Sequence, residues 1–145
     1  MPKEPLDLDA ALEQLNRALS LQFRSALHFA LASGSATGLE FAALAARYAE
    51  FAHEELLDAA RLVEKIVALE GEPTTEVAPV DWDADPVRMV DRLVETETEA
   101  IEALQEVIPA TGQEGRGEAL EHRMEHMIMR KQEQIDSLIR ARRGA

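Results

Sequence analysis

The helical periodicity of this chain breaks three times, and only the middle break is long. The first break is SGSATG at 33–38 and the third is PATG at 109–112. Both are short and rich in residues that stop helices. The second break, 72–84, contains Pro73 and Pro79 and has no apolar period. At ~3.3 Å per extended residue, a segment of that size can run the length of a helix. Helices joined by a short turn lie antiparallel, whereas helices joined by a long crossover can lie parallel. The spacing therefore predicts one all-α domain over 1–145, with helices at about 7–32, 39–69, 85–108 and 112–140. They form an up-down-down-up four-helix bundle whose one long crossover joins helices two and three.

Local signals place the ends. Asp7 or Asp9 can cap the first helix and Thr37 the second. Gly71 suits the end of the second. Asp85-Pro86 reads as a cap followed by Pro at the first helical position. Thr111 and Glu114 have capping-box spacing. Many Ala, Leu and Glu residues beside only six aromatics agree with an all-helical chain.

Each helix carries an apolar stripe at i, i+3/i+4, i+7 spacing, and each stripe is interrupted once near its middle. The interruptions are Gln22, Glu55, Glu97 and Lys131. Three of them are charged, and buried charges cost several kcal/mol unless paired or bound to metal. Their matching depth points to one shared site. Asp58 and Gln134 lie three residues beyond Glu55 and Lys131, near the same faces. The candidate site is Gln22, Glu55, Asp58, Glu97, Lys131 and Gln134. Met124 and Met127 read as core filler.

The stretch YAEFAHEELLDAARLVEKIVALEG (48–71) resembles the second helix of bacterioferritins and their ferritin-like relatives. LNRALSLQFRSALHF (15–29), LVETETEAIEALQEVI (93–108) and KQEQIDSL (131–138) resemble their first, third and fourth helices. That family binds two metal ions with a Glu from each of two helices and Glu-x-x-His from each of the other two. The resemblance puts those six positions on Gln22, Glu55, Asp58, Glu97, Lys131 and Gln134, and implies an iron-handling protein. Only Glu55 and Glu97 keep the family's residue. Asp58 stands for a histidine, Gln22 and Gln134 are neutral, and Lys131 is a cation where a bridging carboxylate belongs. The family's haem ligand, a methionine in the second helix, is absent: Leu56 follows Glu55, so no haem is expected. No counterpart of the family's short fifth helix is expected. The resemblance also implies a homo-oligomer, a dimer or larger.

Three carboxylates and one ammonium leave a net charge of −2 at this site, which one divalent cation balances. Lys131 is therefore expected to replace one metal ion or both. The resulting reading is an iron-handling protein with weak or no ferroxidase activity and at most a mononuclear metal site. One alternative is a metal-free ferritin-like assembly subunit. Another is a histidine-based metalloprotein. His122 and His126 are i, i+4 on the fourth helix, where Glu102 and Glu106 fall at matching heights across from the third. Imidazole suits Zn, Ni or Fe. His53 completes a possible triad in sequence, but lies some five to seven residues from His126 along the bundle, about 10 Å.

The remaining composition excludes whole classes. No cysteine means no thiolate nucleophile or thiolate metal site. A net charge of −13 opposes binding to nucleic acid or an anionic membrane, despite Arg140, Arg142 and Arg143. The polar opening MPKEPLDLD has no signal-peptide core, and no stretch is long and apolar enough to span a bilayer. The expectation is a cytoplasmic protein. Trp82 is expected to serve as a packing lid in the crossover.

Overall fold

The computed structural model describes residues 2–144. Its helices are α1 (Leu8–Ser35), α2 (Ala42–Ala68), α3 (Pro86–Gln105) and α4 (Gly115–Arg143), with single 3₁₀ turns at Leu39–Phe41 and Ile108–Ala110. No strand forms among the described residues. The pairs α1–α2 and α3–α4 pack closely, and α1 also packs on α3. This is the four-helix bundle with one long crossover.

The caps explain most of the boundaries. The Asp7 carboxylate accepts from the Ala10 amide, and that of Asp85 accepts from the Val87 amide ahead of Pro86. The helix α1 runs past Gly34 to Ser35. Ser35 Oγ donates to the Leu31 carbonyl, and Ser33 Oγ donates to that of Ala45 on α2. Thr37 caps nothing; the turn starts from Gly38 at φ +91°. At the end of α2 the left-handed residue is Glu70, at φ +64°, not Gly71. The Gly71 amide donates to the Ile66 carbonyl, closing a Schellman-type turn.

The expected capping box is not made. Thr111 Oγ1 donates to the Ile108 carbonyl, and the Glu114 carboxylate accepts from the Leu6 amide. The N-terminal segment takes the Glu114 carboxylate instead. Gln113 N–H donates to Glu4 O and Asp7 N–H to Ala110 O, which straps residues 4–7 over the α3–α4 turn. Gly112 makes this closeness possible, and Gly117 lets the turn itself fold back tightly on α4. A Cβ on Gly112 would meet the Pro5 carbonyl at 2.5 Å, and one on Gly117 would meet the Thr111 carbonyl at 1.7 Å.

The core has two apolar parts. One contains Leu15, Leu19, Leu62, Ile66, Leu104, Leu120 and Met124. The other contains Phe29, Phe41, Tyr48, Phe51, Val90, Leu93 and Leu138. Each large side chain so buried contributes roughly 1.5–3 kcal/mol. Between them in sequence, on every helix, sits the polar interruption of the stripe. Apolar packing on both sides therefore shields a central polar layer from water.

The crossover lies along α1. Asn16 donates to the Glu72 carbonyl and accepts from the Thr74 amide, and the Ala78 amide donates to Ser20 O. Trp82 is half exposed rather than a buried lid, because its Nε1 reaches the Ser35 hydroxyl at 3.0 Å. Arg88 and Arg92 of α3 hold Asp83, and Arg88 is the main reason its carboxyl is pulled down to about 2. Among the described residues no helix is long and apolar enough to cross a membrane.

His28 locks this crossover and makes it sensitive to acid. Its ring is buried between the Asp81 carbonyl, which Nε2 meets, and Thr96 Oγ1, which lies 3.1 Å from Nδ1. Burial lowers its pKa below the ordinary histidine value, against the opposing pull of Asp81. The unfolded chain thus takes up this proton first. Stability from His28 is complete above about pH 6.5 and declines as pH falls toward the lower folded value. Urea unfolding between pH 7.5 and 5 is expected to show that decline in the wild type and a shallower one in His28→Gln. Equal slopes would refute it.

Candidate functional site

The four stripe interruptions converge, as their spacing requires. Glu55, Asp58, Glu97 and Lys131 are each 0% exposed, Gln22 is 1% and Gln134 is 3%. Lys131 is the centre of the arrangement. Its Nζ donates to Glu55 Oε2 and Glu97 Oε2, both at 2.8 Å, and to Ser25 Oγ at 3.2 Å. All three ammonium protons are used. Four helices contribute, because Ser25 is on α1, Glu55 on α2, Glu97 on α3 and Lys131 on α4.

Gln22 completes the α1 side. Its Nε2 donates to the Glu55 carboxylate and, at 2.9 Å, to the Glu55 main-chain carbonyl. A main-chain carbonyl in mid-helix is already engaged in the helix ladder, so this second bond fixes Gln22 firmly against α2. The amide meets Glu55 as a donor; it is not a neutral bystander.

Asp58 goes elsewhere. Its Oδ1 accepts from Arg61 at 2.7 Å and from Arg130 at 2.6 Å. Gln134 also turns outward, donating to Glu54 Oε2 at 3.0 Å. Of the six sequence-derived positions, Gln22, Glu55, Glu97 and Lys131 form one hydrogen-bonded cluster. Asp58 and Gln134 form a flank on the α2–α4 side. Both arginines change the charge count, because three carboxylates now meet three cations. Among the groups joined by ion pairs the charges cancel, where the sequence count was −2.

The electrostatics follow from burial and pairing. Burial alone would lower the Lys131 ammonium, but Glu55 and Glu97 outweigh it and hold its pKa above the ordinary lysine range. Burial raises the Glu55 carboxyl, and the neighbouring Glu97 adds to the rise against the pull of Lys131. Lys131 therefore stays charged at every ordinary pH. Five buried atoms have no hydrogen-bond partner among the described residues: Glu55 Oε1, Asp58 Oδ2, Glu97 Oε1, Gln134 Oε1 and Tyr48 OH.

Ser25, Arg61, Arg130 and Glu54 were not singled out from sequence. Ser25 lies three residues after Gln22, and Arg61 three after Asp58, so helical spacing held a signal for both. Arg130 and Glu54 are neighbours of Lys131 and Glu55 that read as ordinary surface charges.

The histidine alternative is not assembled. His53, His122 and His126 are all exposed, as are Glu102 and Glu106. Among the described residues no three His, Asp or Glu side chains are gathered so as to hold a metal ion. The helical phase explains this: His122 is nine residues from Lys131, half a turn out of phase, and so points straight away from the bundle.

Comparison with known proteins agrees with this architecture. A ferritin-like diiron-carboxylate protein from Bacillus anthracis superposes with a TM-score of 0.86 at 22% identity, covering 92% of this chain and 96% of its own. A dodecameric thioferritin, the bacterioferritin-related protein of Bacteroides fragilis, gives 0.84 at 22% identity, over 94% and 86%. Rhodobacter capsulatus bacterioferritin, with a metal-free dinuclear site and haem iron, gives 0.80 at 20% identity, over 88% and 80%. No curated protein matches the chain in sequence. The ferritin model, described as a ferritin-like domain, matches residues 12–140, and the chain belongs to the ferritin-like family.

Proposed function

We propose that this chain is a bacterioferritin-like assembly subunit whose bundle centre is an internal ion-pair network in place of a dinuclear iron site, with little or no ferroxidase activity. The observation that carries this reading is the Lys131 ammonium, 2.8 Å from both Glu55 and Glu97. The donor set does not fit two metal ions. A cation takes the place of a bridging carboxylate, and Arg61 and Arg130 occupy one oxygen of Asp58. Two divalent ions added to a neutral cluster would leave four uncompensated positive charges in a low-dielectric core. Two-metal chemistry needs both ions close together, and this centre has no charge to hold them.

Assembly has its own support. On α1, Leu27 and Leu31 are 49% and 46% exposed; on α2, Leu56 and Val67 are 57% and 56% exposed. Helical phase puts these residues on the adjoining outer edges of α1 and α2, where apolar side chains favour cover by another copy. The Bacteroides relative is a dodecamer. Leu56 offers no thioether for haem, and no haem is proposed.

A second reading rests on the unpartnered oxygens. Glu55 Oε1, Asp58 Oδ2, Glu97 Oε1 and Gln134 Oε1 are acceptors without donors, and a single divalent ion could take some of them. Anaerobic Fe(II) titration separates the cases. The expected result is no tight site at the centre and no fast oxidation when air is admitted. One tight equivalent lost in Glu97→Gln would establish the mononuclear reading instead. Two equivalents followed by rapid oxidation would overturn both. Native mass tests assembly, which a 16.0 kDa monomer would exclude.

A further inference from the structure

We propose that the solvent face of α4 carries a copper(I) site built from His122, His126 and Met129. Histidines at i and i+4 stand one turn apart on the same face, the spacing with which helices clamp a metal ion. Met129 is three residues further on. Seven residues from His122, it returns to the same azimuth within about 20°. Side chains lean toward a helix N-terminus, so the long thioether reaches back toward His126. Both imidazoles are exposed, and Met129 is 53% exposed. An apolar side chain on this face has nothing to bury it, but its sulfur is accessible to a ligand.

The surroundings favour a cation. Glu118, Glu125 and Glu133 are exposed on or beside the same face. Arg123 and Arg130 project to its flanks, and Arg130 is turned inward onto Asp58. The ligand chemistry selects the metal. Two imidazoles alone suit Zn, Ni or Cu, whereas adding a thioether favours the soft ion Cu(I). This trio also differs from the grouping with Glu102 and Glu106, because it needs no second helix. It shares no residue with the buried network and stands or falls apart from it.

The test is an anaerobic titration of the full chain with Cu(I) in competition with a chromophoric Cu(I) chelator, repeated with Zn(II). One Cu(I) per chain is expected. His122→Ala and His126→Ala should each weaken it about tenfold or more, and Met129→Leu should weaken Cu(I) about tenfold while changing Zn(II) little. His53→Ala should leave both metals unaltered. All four positions are exposed, and unchanged circular dichroism will confirm that the variants fold. Equal Cu(I) affinity in wild type and His126→Ala would overturn the site. So would a Met129→Leu loss that is as large for Zn(II) as for Cu(I).

Discussion

Lys131→Met is expected to destabilise the fold by about 3–5 kcal/mol at pH 7, the cost of leaving a buried charge without its partner. Methionine matches the length of the lysine stem and fills its space, so the loss is electrostatic rather than a cavity. Glu55 and Glu97 would face each other with no cation between them. The pH dependence identifies the cause. Burial and Glu97 already raise the Glu55 pKa, and removing the ammonium raises it further. Protonation then relieves the variant, so the difference from wild type narrows as pH falls through that raised value. It narrows again at high pH. A lysine whose folded pKa is raised gives stability that is complete below the unfolded value of about 10.4 and is lost as pH rises through the folded one. Urea midpoints at constant m-value measure this. A loss under about 1 kcal/mol at pH 7 would mean that the cluster is not a buried ion pair. Adding Glu55→Gln and Glu97→Gln to the methionine variant should recover most of the stability, since uncharged replacements of a buried pair are often neutral.

The bundle was legible in the sequence because its signals are local or periodic. Apolar stripes, an Asp85-Pro86 start and the unequal breaks each have one physical meaning. The depth of the site was legible for the same reason: Gln22, Glu55, Glu97 and Lys131 each interrupt a stripe. What spacing could not give is which partner a buried side chain chooses. Asp58 is in phase with Glu55, yet it pairs with Arg61 one turn away and Arg130 across α4. A carboxylate takes the nearest strong donors, and Arg130, although it adjoins Lys131, itself reads in sequence as an ordinary surface charge. The failed Thr111–Glu114 cap has a related cause. The Glu114 carboxylate is claimed by the Leu6 amide, whose arrival from more than 100 residues away in sequence no local pattern announces. Long-range competition for donors and acceptors is the common element.

That competition also explains why one side chain decides between two states of this centre. Ferritin-like bundles need the carboxylates of four helices to be neutralised in a dry core. Metal ions can do so, and so can cations built into the chain. Here the latter is complete: the three carboxylates meet one ammonium and two guanidinium groups. A metal ion would then find unpartnered oxygens on Glu55, Asp58 and Glu97 but no uncompensated charge to hold it.

Lys131→Glu reverses that balance and should make folding depend on metal. The substitution removes one positive charge and adds one negative, so the neutral cluster falls to −2, the charge of a site for one divalent ion. Without metal the variant should be less stable than Lys131→Met, because three carboxylates now crowd the space of one ammonium. Adding Mn(II) or Fe(II) under anaerobic conditions should restore stability by about 2.7 kcal/mol once free metal reaches a hundredfold excess over Kd. The wild type should unfold at the same urea midpoint with metal or with EDTA. Lys131→Gln provides the control for a variant that is merely loosened: it lacks the ammonium but supplies no carboxylate, and should gain far less from metal. If metal stabilises the wild type as much as Lys131→Glu, the ammonium is not substituting for an ion, and the network at the bundle centre accommodates a metal rather than replacing one.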